Sequence, residues 1–213
     1  MKHTSLFLTA ALLACFAHGC AENPADGVDK AKVEDILEKP ASPSPSSVQV
    51  RKFAFSDTSS IGFVGSKITG QHEGGFKKFT GHFSVSEDAL APGPHEIVIN
   101  MESTWADHPK LEAHLKSADF FDVETYPVAT FKLTALRQAE GARHNLSGEF
   151  TLHGTTKAIA FPAEITPEKN GYRLVAKFSI NRKDFGIRYP GKPDDLIRDE
   201  VVIVLDLLAL PST

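Results

Sequence analysis

Side chains suited to acid–base or metal chemistry lie close together in one short stretch of the chain. Asp107 and His108 are followed by His114 and Asp119, and imidazole beside carboxylate serves both general acid–base catalysis and zinc binding. The motifs of those chemistries are missing, because the 9 His include no HExxH and no pair at i, i+4, and no CxxC occurs. We therefore interpret these residues as solvated turn residues and predict no enzyme and no metal site. Catalysis on a lipid through His114 or Asp119 is the minor alternative.

The overall composition is that of an ordinary globular protein. With 213 residues, 41% hydrophobic and 23% charged, the chain has room for one buried domain plus appendages. A net charge of −4 argues against nucleic acid as the main partner, because binding to phosphates requires an excess of cations. Gly154, Thr155, Thr156 and Lys157 lack the spacing of a phosphate-binding loop, so we expect no nucleotide or other cofactor.

Apolar side chains recur at every second residue over much of the chain, which is typical of strands with one dry face. The clearest case is residues 146–165, where two such arms flank a turn at Gly154, Thr155 and Thr156 and predict a β-hairpin. An isolated hairpin is only marginally stable in water, so its apolar face must be one wall of a larger structure. The other walls should come from the rest of the chain.

The two-residue period continues after Val48 and predicts further strands. These strands span residues 50–55, 60–68, 79–86, 95–103, 128–136, 172–181 and 201–210, with turns at 57–59, 74–75, 91–94 and 167–171. Together with the hairpin they give about eight or nine short-linked strands, typical of an antiparallel meander closed into a barrel. We therefore predict an all-β antiparallel barrel of about eight strands over residues 48–213. In the last strand either phase could face inward.

Two stretches interrupt the strand pattern. Residues 109–116 begin with Pro and place Leu111 and Leu115 at helical spacing, which predicts a short amphipathic helix over one barrel mouth. Residues 182–199 are rich in charge, Gly and Pro, which predicts a long loop at a rim.

The first residues have the composition of an export signal. Lys2, an apolar run over 6–16 and small residues before Cys20 predict a signal peptide over residues 1–19. Cleavage would leave Cys20 as the first residue and the one cysteine of the mature chain. We therefore expect its lipidation, membrane anchoring and a periplasmic location. Simple secretion is the alternative, because Ala17 replaces the Leu that is usual in lipoprotein signals.

A linker is predicted to follow the signal. Residues 20–47 close in alternating Pro and Ser, which stiffen a solvated segment and give it nothing to bury. We interpret this stretch as a tether. Val33, Ile36 and Leu37 have helical spacing, so a short transient helix is the alternative to a plain surface linker.

Four segments of the chain together resemble the YceI family of bacterial polyisoprenoid-binding proteins. They are 115–131 (LKSADFFDVETYPVATF), 146–165 (LSGEFTLHGTTKAIAFPAEI), 178–187 (FSINRKDFGI) and 197–208 (IRDEVVIVLDLL), in the family's order and spacing. The resemblance covers residues 53–210 and departs from the family at Lys67, where members often carry His. It implies a lipocalin-like barrel with an internal hydrophobic tunnel, which binds a long isoprenoid tail of a quinone or polyprenyl lipid in the periplasm.

The predicted strands supply the apolar lining that such a tunnel requires. Each buried methylene contributes about 0.8 kcal/mol, provided that no polar group is left dry beside it. The predicted ligand-binding residues are Phe63, Phe83, Ile97, Ile99, Trp105, Leu115, Phe120, Phe131, Phe150, Leu152, Ile159, Phe161, Phe178, Ile180, Arg182 and Phe185. The alternative is that such residues fill the barrel and make it a non-catalytic structural or interaction module. Spacing alone favours the filled barrel, and the resemblance favours the tunnel.

Polar residues predicted at the rim could receive a lipid head group. These are Lys67, His72, Lys116, Arg182 and Arg188, with Arg182 first because a motif of the resemblance carries it. Cations suit a diphosphate, whereas a quinone ring needs one or two donors.

Aromatic side chains are expected near the same mouth. Either Phe120 or Phe121 should cap the tunnel, because neighbouring side chains point apart, and Trp105 should report ligand entry by its fluorescence. We therefore expect an exported carrier or sequestering protein for an isoprenoid lipid, which could pair with a second copy through exposed barrel edges.

Overall fold

The computed structural model describes residues 21–36, 50–86, 89–91 and 93–212. The predicted signal peptide, Cys20 and the Pro/Ser-rich part of the tether lie outside the described residues. In chain order the strands are β1 (Lys32–Glu34), β2 (Arg51–Phe55), β3 (Ser60–Lys67), β4 (Gly70–Phe76), β5 (Phe79–Ser86), β6 (Ala89–Leu90), β7 (Glu96–Asn100), β8 (Thr104–Ala106), β9 (Val128–Gln138), β10 (Arg143–Leu152), β11 (Thr155–Glu168), β12 (Gly171–Asn181), β13 (Gly191–Lys192), β14 (Asp195–Leu196) and β15 (Glu200–Pro211).

The described helical elements are few. They are α1 (Pro109–Lys116) and two 3-10 turns, Met101–Ser103 and Arg182–Phe185. Pro109 occupies the first turn of α1, and the His108 imidazole caps it by accepting a hydrogen bond from the backbone N–H of Lys110 at 3.2 Å. No helix in the described part of the chain is long and apolar enough to cross a membrane.

Eight of the strands close into an antiparallel barrel. Their order is β11-β10-β9-β7-β5-β2-β15-β12, and β12 returns to β11. β3 pairs with β15 on the same side as β2, over residues 202–206, next to the part of β15 that pairs with β2. β4 pairs with β3, and β8 pairs with β4. The pairing of residues 164–168 of β11 with residues 171–175 of β12 completes the ring. The predicted eight-stranded antiparallel barrel with one short helix is confirmed.

Alternation along the strands places the core inside the ring. The main apolar cluster lines the barrel interior and continues beneath α1, where Leu115 is buried, and Phe53, Val85 and Ala209 form a second, smaller cluster. In β15 the inward side chains are Ile203, Leu205, Leu207 and Ala209, which settles the phase that the sequence left open.

The predicted hairpin is formed by β10 and β11. His153 and Gly154 connect the strands with φ values of 50° and 70°, the left-handed backbone that a two-residue hairpin turn requires. Thr155 and Thr156, which the sequence placed in the turn, already belong to β11.

Replacing Gly154 by Ala should destabilise the protein by roughly 2–4 kcal/mol. The alanine would have to keep the positive φ of Gly154, which L-residues rarely adopt, and its Cβ would overlap the ring of Tyr126. Gly141 is the matched control. Its φ is 61° but open space surrounds it, so Gly141→Ala should cost only about 1 kcal/mol. Urea unfolding measures both values, and equal costs would mean that Tyr126 does not constrain the turn.

Residues 74–75 were predicted to form a turn, and this prediction is wrong. Gly74 and Gly75 lie inside β4, paired with β3 on one side and β8 on the other. A Cβ on Gly74 would overlap the ring of Phe63, and one on Gly75 would lie 2.5 Å from the Ile61 carbonyl oxygen. Glycine serves close packing here and does not turn the chain.

The linker prediction is also wrong for residues 32–34, which are neither solvated linker nor helix. They form β1, which pairs antiparallel with 158–160 of β11. Val33 packs against the core, and Ala31 before it is only 5% exposed. The segment folds as a strand because β11 offers it a row of backbone partners, which the sequence pattern of residues 20–47 does not reveal.

Candidate ligand-binding cavity

The barrel encloses a cavity of about 470 Å³, within the range of pockets that hold small ligands. Apolar side chains from all eight barrel strands line it. On the outward side of the same strands lie polar residues such as Glu149, Lys177 and Asp206. The interior is therefore hollow, and the filled-barrel alternative does not describe this structure.

Nine of the sixteen predicted ligand-binding residues lie on the cavity wall. They are Phe83, Ile97, Ile99, Phe131, Phe150, Ile159, Phe161, Phe178 and Ile180. Two contacts between aromatic rings shape the wall. Phe161 stacks on Phe178 with 4.0 Å between ring centroids, and Phe131 is tilted against Phe161 at 5.5 Å.

The other seven predicted residues do not line the cavity. They are Phe63, Trp105, Leu115, Phe120, Leu152, Arg182 and Phe185, and they belong to the barrel end covered by α1 and residues 182–199, here called the helix end. Phe185 is fully buried, with its ring 5.1 Å from that of Phe150. These side chains pack behind the wall and close that end of the barrel.

The aromatic residues of the helix end form their own contacts. Phe120 lies against His114 and Tyr189, and Phe121 lies against Phe63 and Phe76. Neither Phe120 nor Phe121 is among the residues that line the cavity, although Phe121 lies against the lining residue Phe76. Trp105 lies on β8, paired with Gly75 and away from the cavity lining, and its place at the ligand's mouth stays a prediction.

Arg182 is buried, and its guanidinium is used by the protein. It donates hydrogen bonds to the carbonyl oxygens of Ile187 at 2.9 Å and Arg198 at 3.2 Å, and to Asp199 Oδ1 at 3.3 Å. Burial lowers the pKa of Arg182, and the Asp199 carboxylate works in the opposite direction. Only 4% of this residue is exposed, so the geometry does not fit the predicted head-group contact.

Three other predicted rim residues are paired with carboxylates at the helix end. Lys67 pairs with Asp195, His72 with Asp107, and Lys116 with Glu102 and Glu112. The hydrogen bond from Lys67 is the main cause that lowers the pKa of Asp195. Arg188 is exposed on the same segment as Arg182. None of these residues lines the cavity.

The predicted acid–base residues form separate pairs. His114 Nε2 lies 2.8 Å from Asp119 Oδ2, whereas Asp107 pairs with His72 and His108 caps α1. No group of three or more His, Cys, Asp or Glu is placed to hold a metal among the residues that the structure describes.

The cavity opens at the opposite end, where the turns 139–142 and 169–170 lie. At that end the lining residues Phe83, His144 and Tyr172 are half-buried. Sequence reasoning missed the polar lining residues. His144 and Tyr172 share the inward phase of the apolar residues on β10 and β12, so strict alternation would have found them.

His95 fixes the loop beside the open end. Its Nδ1 accepts a hydrogen bond from the Ser84 N–H at 3.2 Å, which leaves the proton on Nε2 to be donated to the Ala91 carbonyl at 2.8 Å. The ring is therefore neutral. Burial, assisted by the nearby His82, lowers the pKa of His95 below its ordinary 6.5, although the bond to Ala91 acts against this.

Stability should accordingly fall as the pH drops below about 6.5. In that range the unfolded state binds more protons at this site than the folded state, so unfolding becomes easier by at most about 1.4 kcal/mol per pH unit. Urea unfolding between pH 8 and 5 measures the slope. The pH slope of the unmodified protein minus that of the His95→Gln variant should correspond to the uptake of one proton on unfolding. Identical slopes in the two proteins would refute the lowered pKa of His95.

Comparison with known proteins gives a family and a fold. The YceI-like domain family matches residues 54–209. A UPF0312 protein of Pseudomonas putida strain W619 is 34% identical over 128 residues, which cover 55% of this chain and 65% of the relative. A UPF0312 protein of Photorhabdus laumondii is 34% identical over 121 residues, covering 54% and 62%. The chain thus matches less than two thirds of the length of these relatives.

Solved structures of three bacterial proteins are similar. BcnA of Burkholderia cenocepacia has a TM-score of 0.64 at 25% identity, covering 70% of this chain and 95% of BcnA. A polyisoprenoid-binding domain of Saccharophagus degradans, implicated in plant cell wall breakdown, has a TM-score of 0.62 at 17% identity, covering 75% and 98%. A YceI protein of Campylobacter jejuni has 0.52 at 17% identity, covering 84% and 93%. The last two show the fold alone.

Proposed function

Because this chain belongs to the YceI family, we propose that its hollow barrel binds the apolar tail of an isoprenoid lipid and carries or sequesters the lipid unchanged. The observation that carries the proposal is the apolar cavity with contributions from all eight strands. Burying one five-carbon isoprene unit contributes about 4 kcal/mol at about 0.8 kcal/mol per methylene. The polyisoprenoid-binding domain of similar fold supports the choice of ligand class.

The size of the cavity limits how much of the tail it holds. At roughly 30 Å³ for each water-sized group, about 470 Å³ accommodates on the order of fifteen carbon atoms, or about three isoprene units. A longer tail would extend through the open end.

The polar lining favours a neutral head group such as a quinone. No Lys or Arg lines the cavity in the described part of the chain, and the polar side chains on the inward phase of the lining strands are His95, His144 and Tyr172. His82 and Glu96 alternate with the inward Phe83 and Ile97, so their side chains lie on the outer face. A diphosphate would need cations, whereas a quinone oxygen needs one or two neutral donors. The Tyr172 phenol supplies such a donor at the open end, whereas the ring N–H groups of His95 and His144 are already donated to the carbonyl oxygens of Ala91 and Ala142.

Export and anchoring are part of the same proposal. The signal pattern of residues 1–19 and the cysteine at position 20 support a periplasmic, lipid-anchored protein. Ala21, the first described residue, donates its N–H to the Ile68 carbonyl at 3.3 Å. Mass spectrometry of the mature N-terminus tests the lipid anchor, and an unmodified Cys20 would refute it.

Pairing with a second copy stays a prediction.

Solvent extraction of the purified protein tests the binding proposal. We expect mass spectrometry of the extract to show a prenyl lipid at close to one molecule per chain. Incubation of the emptied protein with a short-tailed quinone should restore a one-to-one complex whose lipid is recovered chemically unchanged. A folded protein that yields a clean extract and takes up no added quinone would contradict the proposal, and recovery of an altered lipid would indicate catalysis.

A further inference from the structure

Two neighbouring strands of the barrel separate toward the helix end. β11 and β12 pair only near the open end, where residues 164–168 face residues 171–175. Beyond that point β11 stays with β10 and β12 stays with β15. The wall of the barrel would therefore have a gap between them.

Residues 29–34, here called the strap, fill this gap. The Ser179 N–H on β12 donates to the Asp29 carbonyl at 2.8 Å, and the Ala31 N–H donates back to the Ser179 carbonyl at 2.8 Å. The strap then crosses to β11, where residues 32–34 pair with residues 158–160. One short segment thus bonds to both sides of the gap. It lies outside residues 54–209, which match the family.

The strap covers a side wall of the cavity. Ile159 and Phe161 on β11, and Phe178 and Ile180 on β12, all line the cavity beside the gap. Phe161 and Phe178 stack across it with 4.0 Å between centroids and 11° between ring planes. Behind the strap, this ring pair closes the gap from inside.

Few contacts hold the strap compared with a barrel strand. Ala31 is buried and Val33 is half-buried, but the remaining side chains of the strap are exposed. The ion pair of Lys30 with Glu200 at 3.2 Å, and that of Asp35 just after the strap with Lys157 at 2.5 Å, lie at the surface, where such pairs contribute little. Segments with few buried apolar contacts open locally before the rest of the protein unfolds.

We propose that the strap is a detachable strand that closes a lateral portal between β11 and β12, and that the isoprenoid tail enters and leaves the cavity through this portal. The inference rests on the proposed function. When the strap detaches, water can satisfy the freed backbone groups at Ser179 and on β11. Rotation of Phe161 and Phe178 then opens the apolar interior to the side, so a long tail can enter along its length and need not be threaded end first through the open end.

A disulfide across the seam tests the proposal. Lys32 faces Ala160 directly in the β1–β11 register, and Lys32 is exposed. The variant Lys32→Cys/Ala160→Cys, with both native cysteines replaced by Ser, should lock the strap without touching the cavity lining. Uptake and release of a short-tailed quinone should both slow by at least about tenfold on oxidation, and reductant should restore them. The equilibrium affinity should change little, because both rates fall together.

The matched control is a disulfide within the permanent part of the wall. Thr151 on β10 and Thr156 on β11 face each other with 2.9 Å between their hydroxyl oxygens, and both point outward. Oxidised Thr151→Cys/Thr156→Cys, in the same background, should take up and release the quinone at the rate of its reduced form.

Two results would overturn the portal. The first is that the oxidised strap variant exchanges quinone as fast as its reduced form and as fast as the control variant.

The second test is hydrogen exchange without ligand. We expect the Ala31 and Ser179 amides to exchange at least about tenfold faster than the Val175 amide, which lies in the permanently paired part of β12. Equal exchange would refute detachment. Failure of the reduced variant and the unmodified protein to bind quinone would instead refute the proposed function.

Discussion

Replacing Ile97 by Trp is expected to weaken isoprenoid binding by roughly a thousandfold while the fold stays intact. Ile97 lies on β7, half-buried on the cavity wall and opposite Phe131 in the neighbouring strand. An indole projecting into the cavity should displace about one isoprene unit, and five carbons at about 0.8 kcal/mol each amount to about 4 kcal/mol. Because the indole enters empty space, the usual overpacking cost of about 1–3 kcal/mol should not arise.

Leu152→Trp is the matched control, because Leu152 is buried but lies away from the cavity. There the larger side chain meets packed neighbours, so the free energy of unfolding should fall by about 1–3 kcal/mol. Calorimetric titration with a short-tailed quinone and urea unfolding measure both variants. Unchanged affinity in a folded Ile97→Trp protein would mean that the tail does not occupy the cavity.

Arg182→Ala should destabilise the protein by about 3 kcal/mol or more without a specific loss of lipid affinity. The substitution leaves the carbonyl oxygens of Ile187 and Arg198 without their donor and removes the buried partner of Asp199. Loss of one member of a buried charged network carries costs of this size. Residues 182–199 should loosen, because the guanidinium joins the beginning of this segment to its end.

Arg188→Ala provides the comparison on the same segment. Arg188 is exposed, so its substitution should change the free energy of unfolding by no more than about 0.5 kcal/mol. Urea unfolding and quinone titration at a temperature where both variants are folded separate the two roles. An Arg182→Ala protein with unchanged stability and abolished quinone binding would restore the head-group role that the sequence assigned to Arg182.

The barrel could be predicted from the sequence because a two-residue period fixes which side chains share a face. That period placed Phe131, Phe161 and Phe178 on the inward side of their strands, and the structure places all three on the cavity wall. It could not show where the cavity stops. Leu152 continues the inward phase of β10, yet it lies beyond the hollow part, since the depth of a cavity depends on what covers the barrel end.

Other features escaped prediction because they depend on contacts distant in sequence. From the sequence Arg182 is expected to be an exposed cation. In the structure it is buried because its guanidinium donates hydrogen bonds to the carbonyl oxygens of Ile187 and Ile197. Gly74 and Gly75 read as a turn, although close strand packing requires them. The strap reads as linker because its partners, Ser179 and residues 158–160, lie more than a hundred residues further along the chain.

A crystal structure of the full chain with a short-tailed prenyl quinone would test the central claim most directly. We expect continuous density for the prenyl chain inside the barrel, in contact with Phe131, Phe161 and Phe178, with the quinone ring at the open end near His144. Density for the quinone on the outer surface only, above an unchanged and empty cavity, would contradict it.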